Sequence, residues 1–174
     1  MRISAKADYA IRSVIELASM CAAEPVKAET LAAAQGIPAK YLLNVLFELK
    51  RAGIVASQRG AVGGYRLARP PGQITLADII RAVEGPLAQI GDFRPDELDY
   101  QGTAEPLRDV WIAVRANIRS ILETVTIAHI VNRSLPARVH RLAAKDEAWL
   151  PHITKIVPDM LRERAASNAA SNRR

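Results

Sequence analysis

Apolar positions recur at helical spacing from the start of the chain. Ala7, Ile11, Val14, Ile15, Leu17, Ala18 and Cys21 share one face behind Ser4, a residue type suited to capping a helix, which predicts a first helix as far as about Ala23. A short second helix is predicted from about Ala28 to Gln35, with Leu31 and Ala34 inward and Gly36 as a left-handed stop. After Ile37, Pro38 opens a third helix to about Ala52, with Leu42, Val45, Leu46 and Leu49 as its buried stripe. The period then changes to two. Ile54–Gln58 and Tyr65–Leu67 read as strands around the glycine-rich stretch Arg59–Gly64, so they form a hairpin. Thr75 caps a fourth helix carrying Leu76, Ile79, Ile80 and Val83.

Beyond Gly85-Pro86 the pattern lapses into a polar, acidic loop. Pro106 then opens a long helix whose apolar residues Leu107, Val110, Trp111, Val114, Ile118, Ile121, Leu122 and Val125 alternate in steps of three and four. Thr126 caps a short helix through Val131. Further apolar positions, Val139, Leu142, Trp149, Ile153, Ile156 and Leu161, suggest packed segments, and Ala165–Arg174 reads as a disordered basic tail. The expected division is therefore 1–86 as one compact domain, 87–105 as acidic loop, 106–133 as long helix and short follower, 134–164 as C-terminal extension and 165–174 as tail.

Composition narrows the possibilities. At 174 residues, 49% hydrophobic and only 5% aromatic, the chain builds a single, mainly helical domain with an arm, not a two-domain enzyme. The net charge of +6 is uneven: +4 over residues 1–86, −3 over 87–126 and +5 over 127–174. A polyanion would meet one of the basic ends. One cysteine, Cys21, excludes an internal disulfide and any multi-thiolate metal site within one chain. The N-terminal run lacks a secretory pattern and no stretch is long and apolar enough to span a membrane, so a soluble, cytoplasmic protein is expected.

Helices joined by a tight turn and followed by a hairpin form the layout of a winged helix-turn-helix, which places a helix in the major groove. With the stripe of the third helix inward, Lys40, Leu43, Asn44, Phe47, Lys50 and Arg51 face out. Lys40 can reach phosphate or guanine, and Asn44 can pair with adenine through two hydrogen bonds. Arg59 and Gly60 at the wing tip and Arg66 on its return strand supply charge and close approach to phosphate. Tyr9 and Tyr41 can each donate a phenolic hydroxyl. The glycine-rich loop is not a nucleotide cradle, since no Gly-Lys-Ser/Thr ending and no following helix accompany it.

The runs Ile3–Ala10, Ile37–Leu42, Ala52–Gly60, Gly63–Ala68 and Ile74–Gly85 resemble the Rrf2 (Rrf-two) family of bacterial winged-helix regulators, which includes sensors built on iron-sulfur clusters. The resemblance is close over about the first 86 residues, and the helix after Pro106 resembles the family's dimerisation helix. It implies a homodimeric, sequence-specific regulator, most simply a repressor, on a pseudo-palindromic operator in double-stranded DNA. Lys40, Tyr41, Leu43, Asn44 and Arg51 on the helix and Arg59, Gly60 and Arg66 on the wing are the expected DNA contacts. Leu107, Val110, Trp111, Val114, Ile118, Ile121 and Leu122 are the expected dimer interface. Many members hold a cluster with three cysteines in the loop before that helix, yet residues 87–105 here contain neither Cys nor His. Carboxylates do not replace thiolates, and Arg12 stands one helical turn from Asp8, so no iron-sulfur cluster, and no other cofactor or metal, is expected.

Other chemistry is weakly represented. His129, His140 and His152 match no metal or catalytic spacing, and Asp96, Glu97 and Asp99 lack a general-base partner, so no enzyme is expected. Cys21 reads as a small buried hydrophobe. A rival reading is a regulatory protein that acts chiefly by binding a metabolic enzyme, and an unknown effector or protein partner is left open.

Overall fold

The computed structural model describes residues 3–20, 24–60, 62–91 and 93–149. Cys21 and the expectations for 150–174, His152 included, lie outside them. The described residues up to His140 belong to one compact unit and those from Arg141 onward to a second.

Helix α1 (Ala5–Ser19) starts at Ser4, whose hydroxyl accepts a hydrogen bond from the Ala7 N–H at 3.1 Å. Its inner face carries Ala7, Ala10, Val14, Leu17 and Ala18, and the one buried polar side chain there, Ser13, donates to the Tyr9 carbonyl at 2.6 Å. Helix α2 (Ala28–Gln35) stops at Gly36, which takes the left-handed conformation at φ 62°. Its inner face differs from the expected one. Ala28, Leu31 and Ala32 are buried and Ala34 is exposed, because Ala28 and Ala32, four apart, stack one turn above the other with Leu31 beside them, and position 34 points away from that stripe. Helix α3 (Ala39–Arg51) follows Pro38 and buries Leu42, Val45, Leu46 and Leu49, at about 1.5–3 kcal/mol for each of the larger side chains.

The hairpin pairs β1 (Val55–Gln58) with β2 (Gly64–Leu67) in antiparallel register, Val55 opposite Leu67 and Gln58 opposite Gly64. A third strand-like partner comes from the segment before α2. Val26 and Tyr65 exchange two backbone hydrogen bonds of 2.8 Å each, which fixes the base of the hairpin to the helical unit. Helix α4 (Leu76–Glu84) opens with a full capping box between Thr75 and Asp78.

Helix α5 (Leu107–Leu122) ends three residues before the expected Val125. The reason is a short backbone bridge: Leu76 N–H donates to the Val125 carbonyl at 3.0 Å and Ile127 N–H to the Ile74 carbonyl at 2.9 Å, which pairs an extended Thr126 with Thr75. Helix α6 (Ile127–Val131) then starts at Thr126, with His129 closing its capping box. Ile127 and Ile74, both fully buried, belong to the same core as α1, α3 and α4. The winged unit is thus completed by a residue beyond the long helix.

After α6 the chain turns through Arg133 at φ 52°, with the Ser134 N–H on the His129 carbonyl at 2.9 Å. This is a Schellman stop with Arg where Gly is usual. Helix α7 (Ala137–Ala143) follows. In the second unit, a 3-10 turn spans Asp146–Ala148, and the Trp149 indole N–H donates to the Ala143 carbonyl at 2.6 Å. Among the described residues no helix is long and apolar enough to cross a membrane.

Candidate nucleic-acid interface

Four buried side chains pin α3 to the core, and its opposite face is free: Lys40, Leu43, Asn44, Phe47, Lys50 and Arg51 are all exposed, as the spacing predicts. Tyr41, at the start of the helix, is partly exposed and meets Tyr9 of α1 edge to face with ring centroids 5.6 Å apart. Arg12 lies over the Tyr9 ring at 5.8 Å, so Tyr9 is packed rather than free. Arg51 stands at the far end of α3 against the Phe47 ring at 6.0 Å, roughly 16 Å along the axis from Lys40. A groove lies beside the N-terminal half of the helix, well away from Arg51.

That groove, about 450 Å³, runs between α3 and the hairpin. Lys27, Leu43, Gln58, Arg59, Gly60 and Tyr65 are among its lining. The structure therefore brings Leu43 of the helix and Arg59 and Gly60 of the wing to one surface. Lys27, just before α2, joins them and was not singled out by the sequence, where it stands in a short linker without a pattern. Arg66 is exposed on β2 but does not line the groove. At the tip, Gly60 takes φ 110° and accepts from the Gly63 N–H at 2.9 Å, and a Cβ on Gly63 would stand 2.5 Å from the Gln58 carbonyl. Only glycine allows this tight a turn.

Unpaired cations occur on this face and also farther along the chain, where Arg108, Arg133 and Arg138 form no salt bridge among the described residues. Lys6, Arg12, Arg69, Arg81, Arg94, Arg115 and Arg119 are all neutralised in ion pairs elsewhere on the molecule. Among the described residues, Lys27, Lys40, Arg59 and Arg66 form no salt bridge, so their charge is available to a polyanion.

The 93–98 segment is structured, in contrast to a merely solvated loop. A 3-10 turn spans Pro95–Glu97, with Pro95 buried. Asp96 pairs with Arg94 at 2.7 Å and with Arg115 of α5 at 2.5 Å, and Glu97 pairs with Arg94 at 3.2 Å. A hydrogen bond from its own backbone, with Arg115 and Arg94 beside it, holds the Asp96 carboxyl below the ordinary carboxylate range. Hydrogen bonds from Arg81 and Arg119 lower Glu123 in the same way, linking α4 to the end of α5. Asp8 is engaged by Arg12, whose guanidinium also caps α2 through the Gln35 carbonyl. Among the described residues no group of three or more His, Cys, Asp or Glu is placed to hold a metal ion. The donor set before α5 does not fit an iron-sulfur cluster, which requires thiolates.

The expected interface residues of α5 are accessible in the single chain. Leu107, Val110 and Val114 are exposed, Trp111, Ile118, Ile121 and Leu122 are half-buried, and no residue of the helix is buried.

A core-pinned helix, an adjoining glycine-tipped hairpin and the unpaired cations Lys27 and Arg59 along the groove between them define a winged-helix DNA-binding transcriptional regulator. Residues 3–133 match the family model Rrf2, described as an iron-dependent transcriptional regulator, and the chain belongs to that family. Rv1287 of Mycobacterium tuberculosis, named among HTH-type transcriptional regulators, is 46% identical over 143 residues, covering 82% of this chain and 89% of that one. The solved structure of CymR, the global cysteine regulator of B. subtilis, is similar with a TM-score of 0.65 at 31% identity, covering 76% of this chain and 98% of that one. IscR of T. potens is similar with a TM-score of 0.63 at 29% identity, covering 86% and 97%.

Proposed function

We propose that this chain is a homodimeric, cytoplasmic regulator without enzymatic activity, which represses by occupying a pseudo-palindromic operator. The observation that carries the reading is the set of unpaired cations, Lys27, Lys40, Arg59 and Arg66, around the free face of α3 and the hairpin. Lys40, Tyr41, Leu43 and Asn44 enter the major groove, where Asn44 and Lys40 read base edges and Tyr41 donates to phosphate. Arg59 and Gly60 place the wing on the adjacent backbone or minor groove, and Arg66 adds long-range attraction. Arg51, at the far end of α3, contributes to phosphate attraction rather than to base reading. The exposed apolar flank of α5 supports pairing with a second copy, which sets two reading helices about one DNA turn apart or a multiple of it. Occupied DNA excludes other proteins, which makes repression the simplest output. The chain works without an iron-sulfur cluster, since the loop before α5 offers no thiolate and two of its carboxylates, Asp96 and Glu97, are engaged by arginines.

The test is a footprint on the DNA upstream of the protein's own coding sequence, against a scrambled duplex. Protection of a two-fold symmetric site, weakened by rising salt, is expected, and Arg59→Ala lowers affinity about tenfold at moderate salt. Equal binding to both duplexes would defeat the reading.

A further inference from the structure

Away from the DNA face, an open apolar hollow of about 440 Å³ lies where the long helix meets the winged unit, within the size range of small-molecule sites. Six aliphatic side chains line it: Leu76 at the start of α4, Ile121 and Val125 at the end of α5, Ile130 in α6, and Leu135 and Val139 beyond the turn. Among the described residues, the two polar side chains of the lining are Arg133 and His140, and no carboxylate borders it. Arg133 forms no ion pair among the described residues, and it holds its place in a left-handed backbone conformation that glycine would occupy more easily.

We propose that this hollow is a binding site for a small amphipathic carboxylate, an aliphatic acid whose chain lies on the six apolar side chains and whose carboxylate is held by Arg133, with His140 as a further donor. Charge complementarity selects this occupant: a neutral hydrocarbon leaves the guanidinium unused, and a polar anion gains nothing from the aliphatic walls. The position also gives such a ligand leverage. Leu76 and Val125, both in the lining, are the two residues joined by the 3.0 Å backbone hydrogen bond between the winged unit and the end of α5. An acid wedged against both biases the angle at which α5 leaves the reader. This second step rests on the DNA-binding reading above, whereas binding of the acid does not.

The experiment has two arms, both on the full chain. Calorimetric titration with decanoate, without DNA, should show saturable binding of one acid per chain. Decan-1-ol, with the same tail and no charge, should bind about tenfold more weakly, and Arg133→Gln should weaken decanoate by a similar factor. Leu135→Trp and Val139→Trp, which fill the hollow, should abolish binding while leaving sedimentation unchanged. Absent or non-saturating binding, equal affinity in Arg133→Gln, or a changed oligomeric state in the filled variants would overturn the site; the last would assign the hollow to contact between copies. In the second arm, saturating decanoate should shift operator affinity at least threefold in the wild type and not in Arg133→Gln. An unchanged footprint alongside tight decanoate binding overturns the regulatory step alone, and a chain that binds the acid but no DNA overturns the reader and leaves the site standing.

Discussion

Gly64 begins the return strand of the wing at φ 159°, directly beneath the segment before α2, and a Cβ there would stand 2.5 Å from the Val26 carbonyl oxygen. The atom it would strike is backbone, held by the paired hydrogen bonds between Val26 and Tyr65, so it cannot swing aside. Gly64→Ala should therefore destabilise the fold by about 1–3 kcal/mol, read as a lower midpoint in urea denaturation. An unchanged midpoint would mean that the hairpin is not fastened at its base. Single residues also show where the sequence was readable. Asn44, Lys40 and Arg59 stood out because helical phase and a glycine-rich turn dictate their exposure before any tertiary contact forms. Lys27 did not, since its place beside the wing depends on Val26 pairing with Tyr65 some forty positions later, and no local pattern announces that. Ala34 turns outward, against its expected inward place, for a related reason: alanines on a short helix carry too little periodic contrast to fix which side turns in.

At the scale of elements, helix starts were the most legible feature. Ser4, Thr75 and Thr126 each cap as their residue types predict, with the accepted hydrogen bonds in place. Helix ends depended on partners. The alternating stripe of α5 runs on through Val125 in sequence, yet the bridge to Leu76 draws that residue out of the helix. The segment before α5 was legible for what it lacks and opaque for what it does. Its lack of thiolates is plain in the sequence, whereas the pairing of Asp96 with Arg115 joins residues from two elements and depends on tertiary packing. Anaerobic incubation with iron and sulfide, followed by desalting, is expected to leave a colourless protein. A retained visible absorption band would show that ligands from elsewhere complete a cluster.

Within the unit that ends at His140, the helix and wing carry unpaired charge and α5 carries uncovered aliphatic surface. Val110 and Val114, one helical turn apart on α5, are 51% and 40% exposed in the single chain. Sedimentation velocity at micromolar concentration should show a dimer, and the double substitution Val110→Glu with Val114→Glu should yield a folded monomer, because two carboxylates per copy would be forced together across a two-fold interface. A wild-type monomer would instead assign that flank to another partner. The sequence placed the winged layout and the long arm in the correct order, but their junction was invisible, since pairing 74–76 with 125–127 is a long-range event carried by two isoleucines and a bridge. That junction makes the reader and the arm mechanically inseparable. Because Ile127 is a stone in the reader's own foundation, the arm is no pendant attached by a hinge, and any torque on α5 is delivered straight to the core of the winged unit.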